Sequence, residues 1–275
     1  VTVEGRAVYI DGKGNPVGVP RSTVSVCDDD GILVSYCENV VTNSDGLFSA
    51  LMVDDFVDDT DLEIYVEILA QSAGIAVGPK FSIANNCYRT PTATVPGGTL
   101  VYLGDLAPLE NNSCGLNSAP LSDQRENDAF YVFTQLQLAW EFMSDITSRE
   151  NNRDVPPVTA RLVPEGVEIP LTNTSFYAGN LITLLPYAWQ PGSNRSLGTI
   201  YHEFGHHLLT HFAESPSPDY NNGVCDEVTD FRRWELTDPG HCAWLPEKGF
   251  VAWTEGVPTF FASVFEAMPV ILIGG

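Results

Sequence analysis

The stretch from Leu197 to Phe212 places aliphatic or aromatic side chains on every side of a helical wheel, yet it also carries His202, Glu203, His206, His207 and His211. A helix that is apolar all round must be buried or line a cleft, so the chain has to supply other elements to wrap it. At about 100° per residue, Ile200, Phe204, His207, Leu208 and His211 share one side, while His202 and His206 lie together on another, one turn apart. His207 and His211 are therefore expected to pack and hydrogen-bond around Phe204. His202 and His206 are left to address a common point.

The elements available for wrapping differ along the chain. Up to about residue 106, short runs rich in β-branched and aromatic residues alternate with Gly, Asn and Asp turns, such as Asp11-Gly12-Lys13-Gly14-Asn15-Pro16 and Asn43-Ser44-Asp45-Gly46. That spacing predicts an antiparallel β-sandwich over residues 1–106. Residues 107–126 are rich in Pro, Asn and Ser and read as a linker. From 127 onward the pattern becomes mixed. Helices are expected over 127–146, 196–214 and 253–268, with strands over 158–162 and 175–185. The fold class expected is thus multi-domain, an N-terminal antiparallel β-sandwich followed by an α+β domain over 127–275.

Two imidazoles four residues apart on a helix can bind one Zn²⁺ at about 2.0–2.1 Å each. Glu203 is rotated away from them, so it does not share the ion comfortably but can take the proton of a water that the ion acidifies. This division of labour is why His202-Glu203-Phe204-Gly205-His206 carries more meaning than two histidines alone. A metal site of this kind needs a third ligand from elsewhere in the chain. The metzincin pattern requires glycine at 209 and histidine at 212, where Leu209 and Phe212 stand.

The segment Trp253-Thr254-Glu255-Gly256-Val257-Pro258-Thr259-Phe260-Phe261-Ala262 resembles the W-x-E-G-x-x-x-F-F-A helix of gluzincin metallopeptidases. With the His-Glu-x-x-His helix, the likeness spans about residues 127–268. It implies a zincin-like domain with His202, His206 and Glu255 as zinc ligands and Glu203 as general base. Asp226, Asp230 and Asp238 are the alternative third ligands. Pro258 departs from the pattern and, lacking an N–H, suggests a helix that begins near Glu255. Tyr177, Tyr187 and His241 are candidate donors to a developing oxyanion, and the 175–182 segment is a candidate edge strand for an extended substrate. Gluzincins continue into a helical subdomain that furnishes this electrophile, whereas the sequence ends at Gly275. At the other end, the G-x-V opening, the D-x-x-G-N-P-V turn and the T-x-x-D-G-x-F hairpin resemble transthyretin-like, carboxypeptidase-regulatory-like modules. They imply an accessory sandwich.

The charge balance, 36 acidic against 13 basic residues for a net −23, excludes a nucleic-acid partner, because such binding relies on cations replacing counterions on phosphate. No apolar run approaches the length of a membrane span, so no membrane insertion is expected. No basic segment followed by an apolar run opens the sequence, so Val1 reads as a mature or trimmed N-terminus. Six cysteines without a C-x-x-C pair suit disulfides, taken in sequence order as Cys27–Cys37, Cys87–Cys114 and Cys225–Cys242, formed outside the cytosol. Asn111, Asn173 and Asn194 stand in glycosylation sequons. The acidic clusters at 28–30 and 54–61 are candidate Ca²⁺ ligands, set against ordinary solvated turns. The expectation is an extracellular zinc endopeptidase acting on protein or peptide substrates. Its rival is a surface, adhesive or filament-type protein that keeps the zincin fold without turnover.

Overall fold

The computed structural model describes residues 1–29, 36–53, 61–79, 85–108, 114, 123–151, 154–164, 174–189, 196–212 and 249–267. They form a mixed α/β structure of three sheets and four helices. β1 (Thr2–Ile10) alternates inward residues such as Val3 and Ala7 with outward ones, the period-two pattern of a half-buried strand. It is flanked by β2 (Pro16–Gly18) and β5 (Leu47–Leu51), both antiparallel, and by β10 (Leu100–Leu106), which runs parallel to it.

That parallel pair departs from the antiparallel expectation, and the chain path explains it. A tight hairpin yields only antiparallel neighbours. β10, however, follows β9 (Ala93–Pro96), which is hydrogen-bonded in another sheet, so it reaches β1 by changing sheets. The second sheet is antiparallel throughout, ordered β4 (Tyr36–Val41), β3 (Thr23–Asp28), β6 (Asp61–Leu69), β8 (Cys87–Arg89), with β9 also on β6. Val24, Val26, Ile64 and Val66 from this sheet join Val3, Ala7, Phe48 and Ala50 in one buried cluster.

Both described disulfides follow the expected pairing. Cys27 and Cys37 sit directly opposite each other on β3 and β4. Cys87–Cys114 closes a separation of 27 residues, which restricts the unfolded chain by roughly 3 kcal/mol. Cys225 and Cys242 lie outside the described residues. Asp28 and Asp29, expected as candidate calcium ligands, have structural partners: Asp28 Oδ1 accepts the Glu63 N–H at 2.7 Å, and Asp29 pairs with Arg89 at 3.3 Å. The remaining acidic residues of those clusters, except Asp61 at the start of β6, fall outside the described residues.

The third sheet crosses the expected domain boundary. Its order is β12 (Phe176–Ala178), β13 (Leu181–Leu184), β11 (Val158–Leu162), β7 (Ile75–Pro79). β7 was expected inside the N-terminal sandwich, yet it pairs in parallel with β11, Val158 opposite Ile75 through Leu162 opposite Pro79. The Val77 N–H also bonds the Ala70 carbonyl at the end of β6. Ile75 and Val77 are fully buried, and pairing on β11 covers them.

Helix α1 (Asp123–Asn151) is longer than expected and fastens the two halves together. Asn127 brackets Ile10, accepting from its N–H at 2.6 Å and donating to its carbonyl at 2.9 Å. Gln137 accepts from the Ser72 hydroxyl at 2.6 Å, and Glu141 pairs with Arg21 at 3.0 Å. Trp140 donates to the Val155 carbonyl and lies so close to Gly74 that any β-carbon there would collide with its indole. Phe130, Phe133 and Leu136 fill the space between α1 and the sheets. Asp128, buried on the same helix with neither carboxyl oxygen hydrogen-bonded, is pushed up by burial to about 7, toward the neutral form that an apolar interior tolerates.

Candidate metal centre

The site is built on two helices. α3 (Ser196–Phe212) is held by Ile200, Phe204, His207 and Leu208, all fully buried, on the side that the helical wheel assigns to the core. α4 (Gly249–Ala267) packs against it. The expected start near Glu255 is corrected here: α4 begins at Gly249 and continues through Pro258. Proline inside a helix deletes one hydrogen bond to the preceding turn, and it is accommodated where α3 offers no side chain. A β-carbon on Gly205 would stand 2.6 Å from Pro258 Cα and 3.0 Å from its Cβ. Gly205 and Pro258 thus mark a close approach of the two helices, one residue before His206 and three after Glu255.

This approach brings three ligand groups together. His202 Nε2 lies 3.1 Å from Glu255 Oε2, His206 Nε2 3.4 Å from the same oxygen, and the two Nε2 atoms 3.1 Å apart. Ligand atoms about 2.0–2.1 Å from a tetrahedral zinc are about 3.3 Å from one another, so the observed triangle has the right edge. The donor set also fits. Two imidazoles and one carboxylate are a zinc set, and three protein ligands leave a fourth position for another molecule. Glu255 and His206 are each 6% exposed, and a carboxylate that stays charged at that depth is stabilised by a cation close by.

Glu203 lies beside this triangle, 5% exposed. Burial and the neighbouring Glu255 carboxylate raise its pKa to about 7, against the opposing pull of His202 and of a hydrogen bond from the Tyr177 backbone N–H. Burial works against charge on His202, but the hydrogen bond to Glu255 and the Glu203 and Glu255 carboxylates outweigh it and raise its pKa. A carboxylate with a pKa near neutrality can both accept and return a proton.

The tyrosines expected as oxyanion donors each have hydrogen-bond partners in the structure. The Tyr177 hydroxyl lies 3.0 Å from Asn180 Oδ1 and 3.3 Å from His207 Nδ1. His207 is held at about 4 chiefly by burial, so it is neutral. Its Nε2 donates to the Pro156 carbonyl at 2.9 Å, which leaves Nδ1 unprotonated beside a phenol whose proton goes to Asn180 Oδ1. His211 joins the same network through Asn180 Oδ1 at 2.7 Å. Tyr177 therefore reaches the site through its backbone, not its ring. Tyr187, on α2 (Pro186–Trp189), accepts the Ser175 N–H at 2.9 Å and braces the start of β12. His241, Asp226, Asp230 and Asp238 lie outside the described residues.

Three features of the site went unread in the sequence. The contact of Gly205 with Pro258 depends on a neighbouring helix, which spacing within α3 does not reveal. The same holds for the Tyr177 N–H on Glu203. The third is Thr259, whose hydroxyl lies 3.3 Å from His202 Nδ1 and donates to the Glu255 carbonyl at 2.8 Å. Its position one helical turn after Glu255 was the available signal.

No protein-family model matches the chain, and no curated protein matches it. Among solved structures, the chain is similar to a 9R-lipoxygenase from Cyanothece PCC8801 at 15% identity with a TM-score of 0.26. The match covers 57% of this chain and 25% of that one. A likeness this slight carries no conclusion about fold or chemistry.

Proposed function

We propose that the chain is an extracellular zinc endopeptidase of gluzincin type, with a zincin-like domain carrying the chemistry. The observation that supports this reading most directly is the meeting of His202, His206 and Glu255 around one point, with Glu203 buried beside them. Those three side chains would hold the ion, which when bound supplies a Lewis acid and lowers the pKa of water. Glu203 accepts the proton of the attacking water and delivers it to the departing amine, a task suited to a pKa of about 7.

Substrate placement follows from the sheet. β12 ends the third sheet among the described residues, and Tyr177 sits opposite Ile182 with its N–H on Glu203. That N–H points away from β13. An extended peptide added along this edge would therefore pass beside the proton acceptor. Two disulfides, and no helix among the described residues long and apolar enough to cross a membrane, suit an extracellular location. Calcium at the acidic turns stays a secondary proposal, for residues beyond Asp28 and Asp29.

The competing reading, a surface or adhesive protein that keeps the fold without turnover, has one observation in its favour. Leu51 on β5 and Leu100 and Tyr102 on β10 stand exposed, the two strands each pairing with β1 through Thr2 and Glu4, and exposed apolar side chains of this kind can bind other proteins. The two readings separate on chelation. The enzyme is expected to contain about one zinc per chain, to lose casein cleavage in 1,10-phenanthroline, and to regain it when zinc is restored. Cleavage that survives complete zinc removal, or a purified protein that binds zinc and cleaves nothing, overturns the enzymatic reading.

A further inference from the structure

Building on the proposed zinc centre, the geometry points to Thr259 as a positioning residue that sets the orientation and tautomer of His202 and ties it to the helix bearing Glu255. Thr259 lies on α4 one turn beyond Glu255, and its hydroxyl has two partners on the two ligand-bearing helices. It donates to the Glu255 carbonyl at 2.8 Å, which commits its only proton. The 3.3 Å contact to His202 Nδ1 then uses the oxygen as acceptor, so the imidazole carries its proton on Nδ1. Nε2, the atom 3.1 Å from both Glu255 Oε2 and His206 Nε2, is the nitrogen that offers its lone pair when a metal replaces its hydrogen bond to Glu255.

A histidine ligand that donates its second nitrogen to a fixed acceptor is held in the metal-binding tautomer and orientation, and removing such an acceptor costs about 10–100-fold in metal affinity. Here the acceptor is a neutral hydroxyl at the solvent edge of the site. Water can partly replace it, which places the expected loss at the lower end. The bridge also passes from α3 to α4, so it resists rotation of the His202 ring relative to Glu255. A threonine hydroxyl bonded to the carbonyl four residues back is common in helices. The contact with His202 is what distinguishes a positioning role from that local habit.

The test uses the apo protein titrated with Zn²⁺ against a chromophoric chelator. Thr259→Val keeps the shape and removes the hydroxyl, and Thr259→Ser keeps the hydroxyl and removes the methyl. Zinc affinity is expected to fall on the order of 10-fold in Thr259→Val and to return to within about threefold of wild type in Thr259→Ser, with the apo melting temperatures of all three within a few degrees. Equal zinc affinity in wild type and Thr259→Val overturns the role of Thr259 alone. Equal losses in the valine and serine variants also overturn it, since they assign the effect to packing. A wild-type protein that binds no zinc overturns the underlying metal centre instead.

Discussion

Glu203→Gln is expected to bind zinc as tightly as the wild type and to cleave casein at least ~100-fold more slowly. The substitution keeps the length of the side chain and its capacity to accept the Tyr177 N–H, so neither β12 nor the ligand triangle has cause to move. What it removes is basicity. Loss of a positioned general base costs about 10²–10⁴ in rate, and the low dielectric around a residue 5% exposed leaves little water to stand in for it. The fall should appear in kcat, with KM nearly unchanged, because Glu203 is asked to act on the reacting proton and not on the peptide. Zinc content measured on the same preparation separates loss of base from loss of metal. Undiminished kcat in this variant would remove Glu203 from the mechanism.

Gly205→Ala is expected to weaken zinc binding by at least ~10-fold, about 1.4 kcal/mol, although it adds a single methyl and creates no charge. Two effects oppose each other. Alanine in place of glycine inside a helix gains about 1 kcal/mol in intrinsic propensity. The new β-carbon would stand 2.6 Å from Pro258 Cα and 3.3 Å from its carbonyl oxygen. These are backbone atoms that cannot rotate aside, and overpacking of this kind costs about 1–3 kcal/mol. Stability measured by urea unfolding should therefore drop by no more than about 2 kcal/mol. Metal affinity should suffer more, because α4 relieves the clash by moving off α3 and takes Glu255 away from His202 and His206. Zinc affinity equal to wild type would show that the close approach is not what assembles the ligands.

How much of this was legible in the sequence depends on whether the deciding contact is local. The helix at 196–212 and its buried face followed from periodicity, because the pattern of Ile200, Phe204 and Leu208 belongs to one element. His207 packs on that face for the same reason. The apolar pattern over 175–185 gives one strand region, whereas Gly179-Asn180 splits it as a two-residue turn with φ of 56° and 64°, a recognised hairpin signal. Pro258 misled because its cost was weighed within its own helix, while the relief came from Gly205 on another. The direction of β10 and the placement of β7 were equally invisible, since both are decided by which sheet a strand joins after the chain crosses over. Glu255 lies 52 residues beyond Glu203 in the sequence, and spacing alone did not connect them; the motif resemblance proposed the link, and α3 against α4 brings the groups within reach.

The strand Ile75–Pro79 gives the protein a property that its division into N-terminal and C-terminal halves conceals. Its backbone bonds to β11 along its length and to Ala70 at the end of β6, so it belongs to both halves at once. A fragment starting after residue 106 would leave β11 with a bare hydrogen-bonding edge and an uncovered apolar face, the arrangement that invites chains to pair with one another. Expressed alone, that half should aggregate or recruit a strand in trans, and supplying residues 1–106 as a separate chain should rescue it. The N-terminal segment would in this sense act as an internal chaperone for the half that carries His202 and His206, joined to it by the strand it lends.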